Sequence, residues 1–391
     1  MDTNWGDEIY EKSKVTHSSI QGEDGAGSEA EEALREAYLK SNKTPGWASP
    51  NYWRVLNHKA SDEIIHKTVV KPRKVKKAVK PIYVANYDCL LQKPSSLLTF
   101  HPSNNLLFAS GRHNHFQLIK VEASQCEMVK TSKFLNFHVF CAKFIKNGEE
   151  LMFSCDRKPI YFYNIEAERG YFLNRIPGRN EESWKKFSVS ASHDKIALVG
   201  DQGQIPIISE RARHVIGCMR QGSALVDVEF SKRDENILYS LGCENDVYLW
   251  DIRNYLCVQK NYIPEMFNPT VISLSCQDLL AIGSKTGQIS LFNFVDNMES
   301  STIKTFDNLT LPINFTKFNP EGNLLCFGTH QQKKGIRMVD IDDLSVLTSW
   351  PFIRNDLGIN RIYGIDFSYD SQYLALGNCD GRILINRVQT A

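Results

Sequence analysis

Apolar residues along this chain recur in short clusters with an internal period of two and a nearly constant spacing. Seven segments carry the pattern most clearly: FQLIKV (116–121), IYFYNI (160–165), IPIISE (205–210), VYLWDI (247–252), ISLFNF (289–294), IRMVDI (336–341) and ILINRV (383–388). Each opens on an apolar residue, has another two positions on, and is rich in β-branched or aromatic side chains, the pattern of a strand with one buried face. Their first residues lie 44, 45, 42, 42, 47 and 47 positions apart.

Before each segment comes a polar turn, such as GDQGQ, CENDV or SKTGQ, and before the turn a second apolar run, such as IALVG, ILYSL or LLAIG. A third run precedes that and often ends in Phe and another turn, as in LLTFHPSNN and FTKFNPEGN. Three clear strands and a looser fourth within about 40–45 residues make one blade of a β-propeller. Seven such units predict an all-β fold, a seven-bladed WD40-type β-propeller. A closed ring leaves no bare sheet edge at its two ends. The last unit stops after its third strand, so IYVANYDCL (82–90) is expected to supply the fourth and latch the ring. On this reading residues 82–391 are the propeller and 1–81 a largely disordered extension.

Trp250-Asp251 is the single Trp-Asp pair in the chain and serves as the structural mark of the repeat. No His or Asp stands where it would join Ser and Trp in a buried network, so packing of Phe, Leu, Ile and Val is expected to hold the core. Pro206 falls inside the third strand of the third unit, where its missing N–H predicts a bulge or a later strand start.

The first 81 residues follow different rules. GEDGAGSEAEEA is acidic and poor in large apolar groups, which predicts disorder. Ser28 and Glu31 have capping-box spacing before a short helix within 28–40, in which Ala33, Leu34, Ala37 and Tyr38 share a face. A helix that short needs a surface to form on. Trp47, Tyr52 and Trp53 in TPGWASPNYWRVL are candidates for docking onto a partner, or equally onto the chain's own propeller. Lys71, Arg73, Lys74, Lys76, Lys77 and Lys80 crowd into residues 71–80, a basic segment suited to nuclear import, to contact with a nucleic-acid backbone, or to service as a solvated linker.

Charge narrows the picture further. Residues 82–391 carry 32 Lys and Arg against 33 Asp and Glu, so any basic footprint on the ring must be local. No apolar run approaches the ~18–20 residues that span a bilayer, and the N-terminus does not read as a secretory signal, so no membrane partner is expected and the ten cysteines are read as reduced thiols. No phosphate-binding loop, zinc-protease helix or nucleophile elbow is present. His113 and His115 could form a metal pair, but they lie in an expected polar turn without Cys or carboxylate neighbours. No catalytic, cofactor-binding or metal residues and no small-molecule substrate are expected.

The last unit then adds a more specific likeness. Residues 349–388 carry Trp350-Pro351, Arg354, Asp366-Phe367-Ser368 and Ala375-Leu376-Gly377-Asn378 with Gly381, in that order. This run resembles the C-terminal end of the WD-repeat U3 small nucleolar RNA-associated protein 18 family. The unit ILYSLGCENDVYLWDIRNYLCV is similar to that family's one blade with an intact Trp-Asp, and KFIKNGEELMFS and FNPEGNLLCFGTHQQKKGIRMV resemble further blades. The resemblance spans residues 95–390. It implies a non-enzymatic scaffold of the nucleolar small-subunit processome, acting in 18S pre-rRNA processing beside other processome proteins and U3 RNA or pre-rRNA, in the nucleus and nucleolus. The helicase-recruiting L-F-x-apolar-D peptide of some relatives has no counterpart in the tail; LFNFV (291–295) has Val295 where the Asp would be. A rival reading rests on Trp250 to Arg253, because Trp-Asp-x-Arg resembles the adaptor-docking motif of substrate receptors in cullin-type ubiquitin ligases. The plain alternative is that Arg253 is a solvated turn residue.

Overall fold

The computed structural model describes residues 33–34, 36–37, 78–85 (backbone) and 95–389 apart from 112–114, 123–125, 134–138, 156, 265, 294–300, 348–349 and 351–358. The chain divides into two compact units, Met1–Lys74 and Val75–Ala391. Of the first unit, Ala33, Leu34, Glu36 and Ala37 are helical and exposed. The second unit consists of seven four-stranded antiparallel sheets.

Each sheet is one blade. Six are continuous in sequence and run from the innermost strand outward. Blade 4, for example, is Leu225–Phe230, Ile237–Gly242, Asp246–Asp251 and Leu256–Tyr262. The seventh is composite: Ile362–Phe367, Tyr373–Asn378 and Ile383–Gln389 are completed on the outside by Ala78–Ala85. That latch pairs from Ala78↔Gln389 to Ala85↔Ile383. It begins four residues before the expected segment, so Lys80 lies in the ring and not in the extension. An outermost strand tolerates Pro81 and Lys80, because one of its edges needs no ladder partner. Those two residues break the apolar alternation, so the sequence pattern shows the strand only from Ile82.

Closure is also visible in the packing. Seven apolar clusters each join two neighbouring blades, among them Leu98, Phe100, Leu107 and Ile119 of blade 1 with Tyr373, Ala375, Ile383 and Ile385 of blade 7. Every blade thus buries both faces of its sheet. Such strands read as near-continuous apolar runs, as in Leu324–Gly328, where all five residues are buried.

A buried polar residue directly follows the innermost strand in six blades: His101, Ser190, Ser231, Ser275, Asn319 and Ser368. Each turns its side chain back to accept backbone N–H groups of its own turn, as Ser231 Oγ does from Arg233 and Asp234 at 3.1 Å each. These side chains satisfy donors that a tight, buried turn would otherwise leave unpaired. In blade 2 the innermost strand Cys141–Ile145 ends on buried Ile145 and is followed by Lys146, so no such buried polar residue is present there. Its turn passes through positive φ at Lys146, Asn147 and Gly148 instead. Gly148 lies against the His101 ring of blade 1, where a Cβ would stand 1.9 Å from Nε2.

Pro206 lies within strand Gln204–Ser209, and the ladder to the outer neighbour shifts register between Ile207 and Ile208. The expected bulge is therefore present, but proline is not its cause. The shift recurs at the same place in blades 1, 4 and 5, between Leu118 and Ile119, Leu249 and Trp250, and Leu291 and Phe292. It belongs to the blade, where an extra outer-strand residue adds the local twist that a propeller sheet needs.

Candidate functional site

Polar chemistry gathers at the end of blade 4 that carries the repeat mark and in the central channel. Trp250 is buried by the strand's alternation and stacks on Tyr248, ring centroids 5.6 Å apart and 14° from parallel. Its Nε1–H donates to Ser240 Oγ at 2.8 Å, and the Ser240 hydroxyl donates to Gln221 Oε1 at 2.7 Å. Gln221 Nε2 then donates to the Ser223 carbonyl at 3.2 Å. A buried network therefore does exist in this blade, with Gln221 where the sequence offers no His or Asp. Its adjacency to Ser240 arises only when the connection from blade 3 folds over blade 4, so spacing within the repeat did not reveal it.

Asp251 points the other way, into the turn beyond the strand. Its carboxylate accepts the Arg253 backbone N–H at 2.9 Å and Asn254 Nδ2 at 3.1 Å, with Arg253 Nε at 3.4 Å. The Arg253 backbone bond, joined by its guanidinium, holds this carboxyl below the ordinary range. Arg253 is exposed, and its side chain rests on the same carboxylate that caps the turn. Of the other sequence candidates, Lys80 lies in the latch strand, opposite Arg387. Trp47, Tyr52, Trp53, Lys71, Arg73, Lys74, Lys76 and Lys77 lie outside the described residues, as does His113. His115 is the first residue of strand His115–Val121 rather than a turn residue.

The innermost strands surround a channel holding a cavity of about 280 Å³. Its charges are arranged between blades. Lys186 Nζ of blade 3 lies 2.8 Å from Asp227 Oδ2 of blade 4 and donates to the Thr270 carbonyl of blade 5 at 3.1 Å. Lys317 of blade 6 is 3.7 Å from Asp366 of blade 7, which accepts the Phe100 N–H of blade 1 at 2.7 Å. The Thr99 and Thr270 hydroxyls donate to the Ala142 and Ile313 carbonyls of the next blades at 3.0 and 2.6 Å. Asp366 keeps the Lys317 ammonium above its ordinary value, whereas burial pushes the Glu229 carboxyl up. Burial likewise raises the Cys141 thiol, so it is no thiolate nucleophile. The channel's polar groups chiefly tie blade to blade.

Among the described residues no three His, Cys, Asp or Glu side chains are grouped to hold a metal ion, and no helix is long and apolar enough to cross a membrane. Cys141, Cys218, Cys243, Cys257, Cys276, Cys326 and Cys379 are free thiols.

No family model matches the chain. Individual proteins do. The chain is 27% identical over 387 residues to the U3 small nucleolar RNA-associated protein 18 homolog of Arabidopsis thaliana, covering 93% of this chain and 70% of that one. It is 25% identical over 299 residues to the human homolog, covering 75% of this chain and 53% of that one. It is 22% identical over 335 residues to U3 small nucleolar RNA-associated protein 18 of Saccharomyces cerevisiae, covering 73% and 56%. Against the human and yeast proteins the chain thus spans just over half of their length. The resemblance drawn from residues 349–388 and the blade motifs is borne out by relatives in plant, animal and fungus.

Proposed function

We propose that this chain, a seven-bladed propeller similar to the U3 small nucleolar RNA-associated proteins named above, is a non-enzymatic scaffold of the nucleolar small-subunit processome. In that role it supports maturation of the 18S rRNA precursor through contacts with other processome proteins and the U3 ribonucleoprotein. One observation carries the reading: the likeness covers 93% of the chain against the plant relative, and therefore the whole ring rather than a single generic repeat. The chemistry described above is compatible with it. Trp250, Ser240 and Gln221 form a structural network, Asp251 caps its turn, and the channel charges are engaged between blades. A closed ring offers two faces and an outer wall on which several partners can assemble at once.

Within this reading residues 1–77 are an extension. Its basic residues Lys71, Arg73, Lys74, Lys76 and Lys77 act in nuclear import or backbone contact, and Trp47, Tyr52 and Trp53 act as partner anchors. Depleting the protein tests the role: unprocessed 18S precursor accumulates while 5.8S and 28S maturation continues. Normal processing after complete depletion overturns it.

A further inference from the structure

The two ends of blades 6 and 7 differ in charge. One end is formed by the turns that follow the innermost strand and those that lead to the outermost, residues 319–323, 340–344 and 368–372. They contain Glu321, Asp340, Asp342, Asp343 and Asp370, with no Lys or Arg of their own; Lys304 of blade 5 reaches in to the Leu344 carbonyl at 2.8 Å. The opposite end is formed by residues 329–335, 359–361 and 379–382. Among these described residues Lys333, Lys334, Arg361 and Arg382 stand against one acid, Asp380.

These three connections form one surface. The Lys334 N–H donates to the Asn360 carbonyl at 3.0 Å, and the Cys379 N–H to the Arg361 carbonyl at 2.8 Å. Lys333 and Arg361 are exposed. Beside them His330 stacks on Tyr363, ring centroids 5.3 Å apart and 21° from parallel. Tyr363 and Phe315 continue the aromatic surface into the channel mouth. Strands of five or six residues separate the basic end from the acidic one by about 17–20 Å, twice the screening length of about 8 Å at physiological salt. A polyanion approaching the basic end is therefore attracted with little opposition from the acidic end.

We propose that this face of blades 6 and 7 binds single-stranded RNA, with Lys333 and Arg361 on phosphates and the His330–Tyr363 stack as a platform for an unstacked base. Single strands combine dense negative charge with free base faces, the two features that this surface matches. A duplex keeps its bases stacked and cannot deliver one to a ring at the channel mouth. An acidic protein segment would use the charges but not the stack. The inference deepens the scaffold reading, which leaves direct RNA contact open.

Fluorescence anisotropy of the full chain with a labelled mixed-sequence single-stranded RNA of about 15 nucleotides tests it. Lys333→Gln with Arg361→Gln should weaken binding about tenfold and reduce the slope of log affinity against log salt by about 1.4, two contacts' worth. His330→Ala should weaken binding with little change in slope, and His330→Tyr should restore it. Asp342→Asn with Asp343→Asn at the opposite end should not weaken it. No binding by the unaltered chain, or unchanged affinity and slope in the double variant, overturns the proposal; the latter is the result if the basic segment alone holds RNA. Displacement by polyglutamate as effective as by unlabelled RNA also overturns it, in favour of an acidic protein partner. If the double variant binds RNA normally while the chain still recovers U3 RNA from cells, this surface is rejected and the scaffold role stands.

Discussion

At the seam between blades 2 and 3 the guanidinium carbon of Arg213 lies 3.7 Å from the centre of the Phe162 ring. The same group pairs with Glu150 at 2.6 Å and with Glu210 at 3.3 Å, and Lys146 completes the cluster 2.7 Å from Glu150. Burial pushes the Glu150 carboxyl up, but the bonds from Lys146 and Arg213 outweigh it and hold the group below its ordinary value. A carboxyl with a depressed pKa in the folded state contributes stability above its unfolded value, and that stability is lost as pH falls through the folded one. Removing the arginine leaves two buried carboxylates short of a partner, which costs about 3 kcal/mol. Arg213→Met should therefore lose about 3 kcal/mol of unfolding free energy at neutral pH in urea titrations. The loss should shrink at acid pH, as Glu150 and Glu210 take up protons. An equal loss at both pH values would show that packing on Phe162 alone accounts for the residue.

The element that decides closure is the strand Ala78–Ala85, which carries the start of the second unit to the end of the chain. Deleting it leaves strand Ile383–Gln389 as a bare edge, so the melting temperature should drop by about 10 °C or more. An unchanged melting curve by circular dichroism would remove the latch from the account. This strand also marks how far the sequence could be read. The third strand of each blade, such as Ile289–Asn293, announced itself by its recurring apolar positions and even spacing. The latch showed only from Ile82 onward, and its start at Ala78 did not show, because an outermost strand tolerates Lys and Pro. The recurring buried Ser, Asn or His after the innermost strand was present in the sequence, but one polar residue beside a turn resembles any turn former until its burial is known. Gln221 was hidden for another reason, since its partner Ser240 belongs to the next blade. Among the candidate site residues, Trp250 is buried with its indole N–H on Ser240, and Asp251 accepts the Arg253 N–H of its turn. The basic face of blades 6 and 7 was missed, because its charges come from three connections separated in sequence and its stack pairs residues 33 positions apart, His330 and Tyr363.

For the whole molecule, the neutral total conceals an uneven distribution. The ring is held by seven apolar seams and by polar ties across the channel, and its side chains are largely spent on closing and stiffening a platform. What remains for partners is surface: the dipolar blades 6 and 7, the outer wall, and the tail. That allocation suits a subunit whose output is an assembly rather than a reaction, and it makes recovery of that assembly the decisive measurement. The full chain, tagged at its N-terminus and expressed near native level, should purify from nucleolar extracts with U3 RNA enriched over other small nucleolar RNAs. A diffuse protein that recovers no U3 RNA, and instead recovers a cullin through Arg253, would contradict the account.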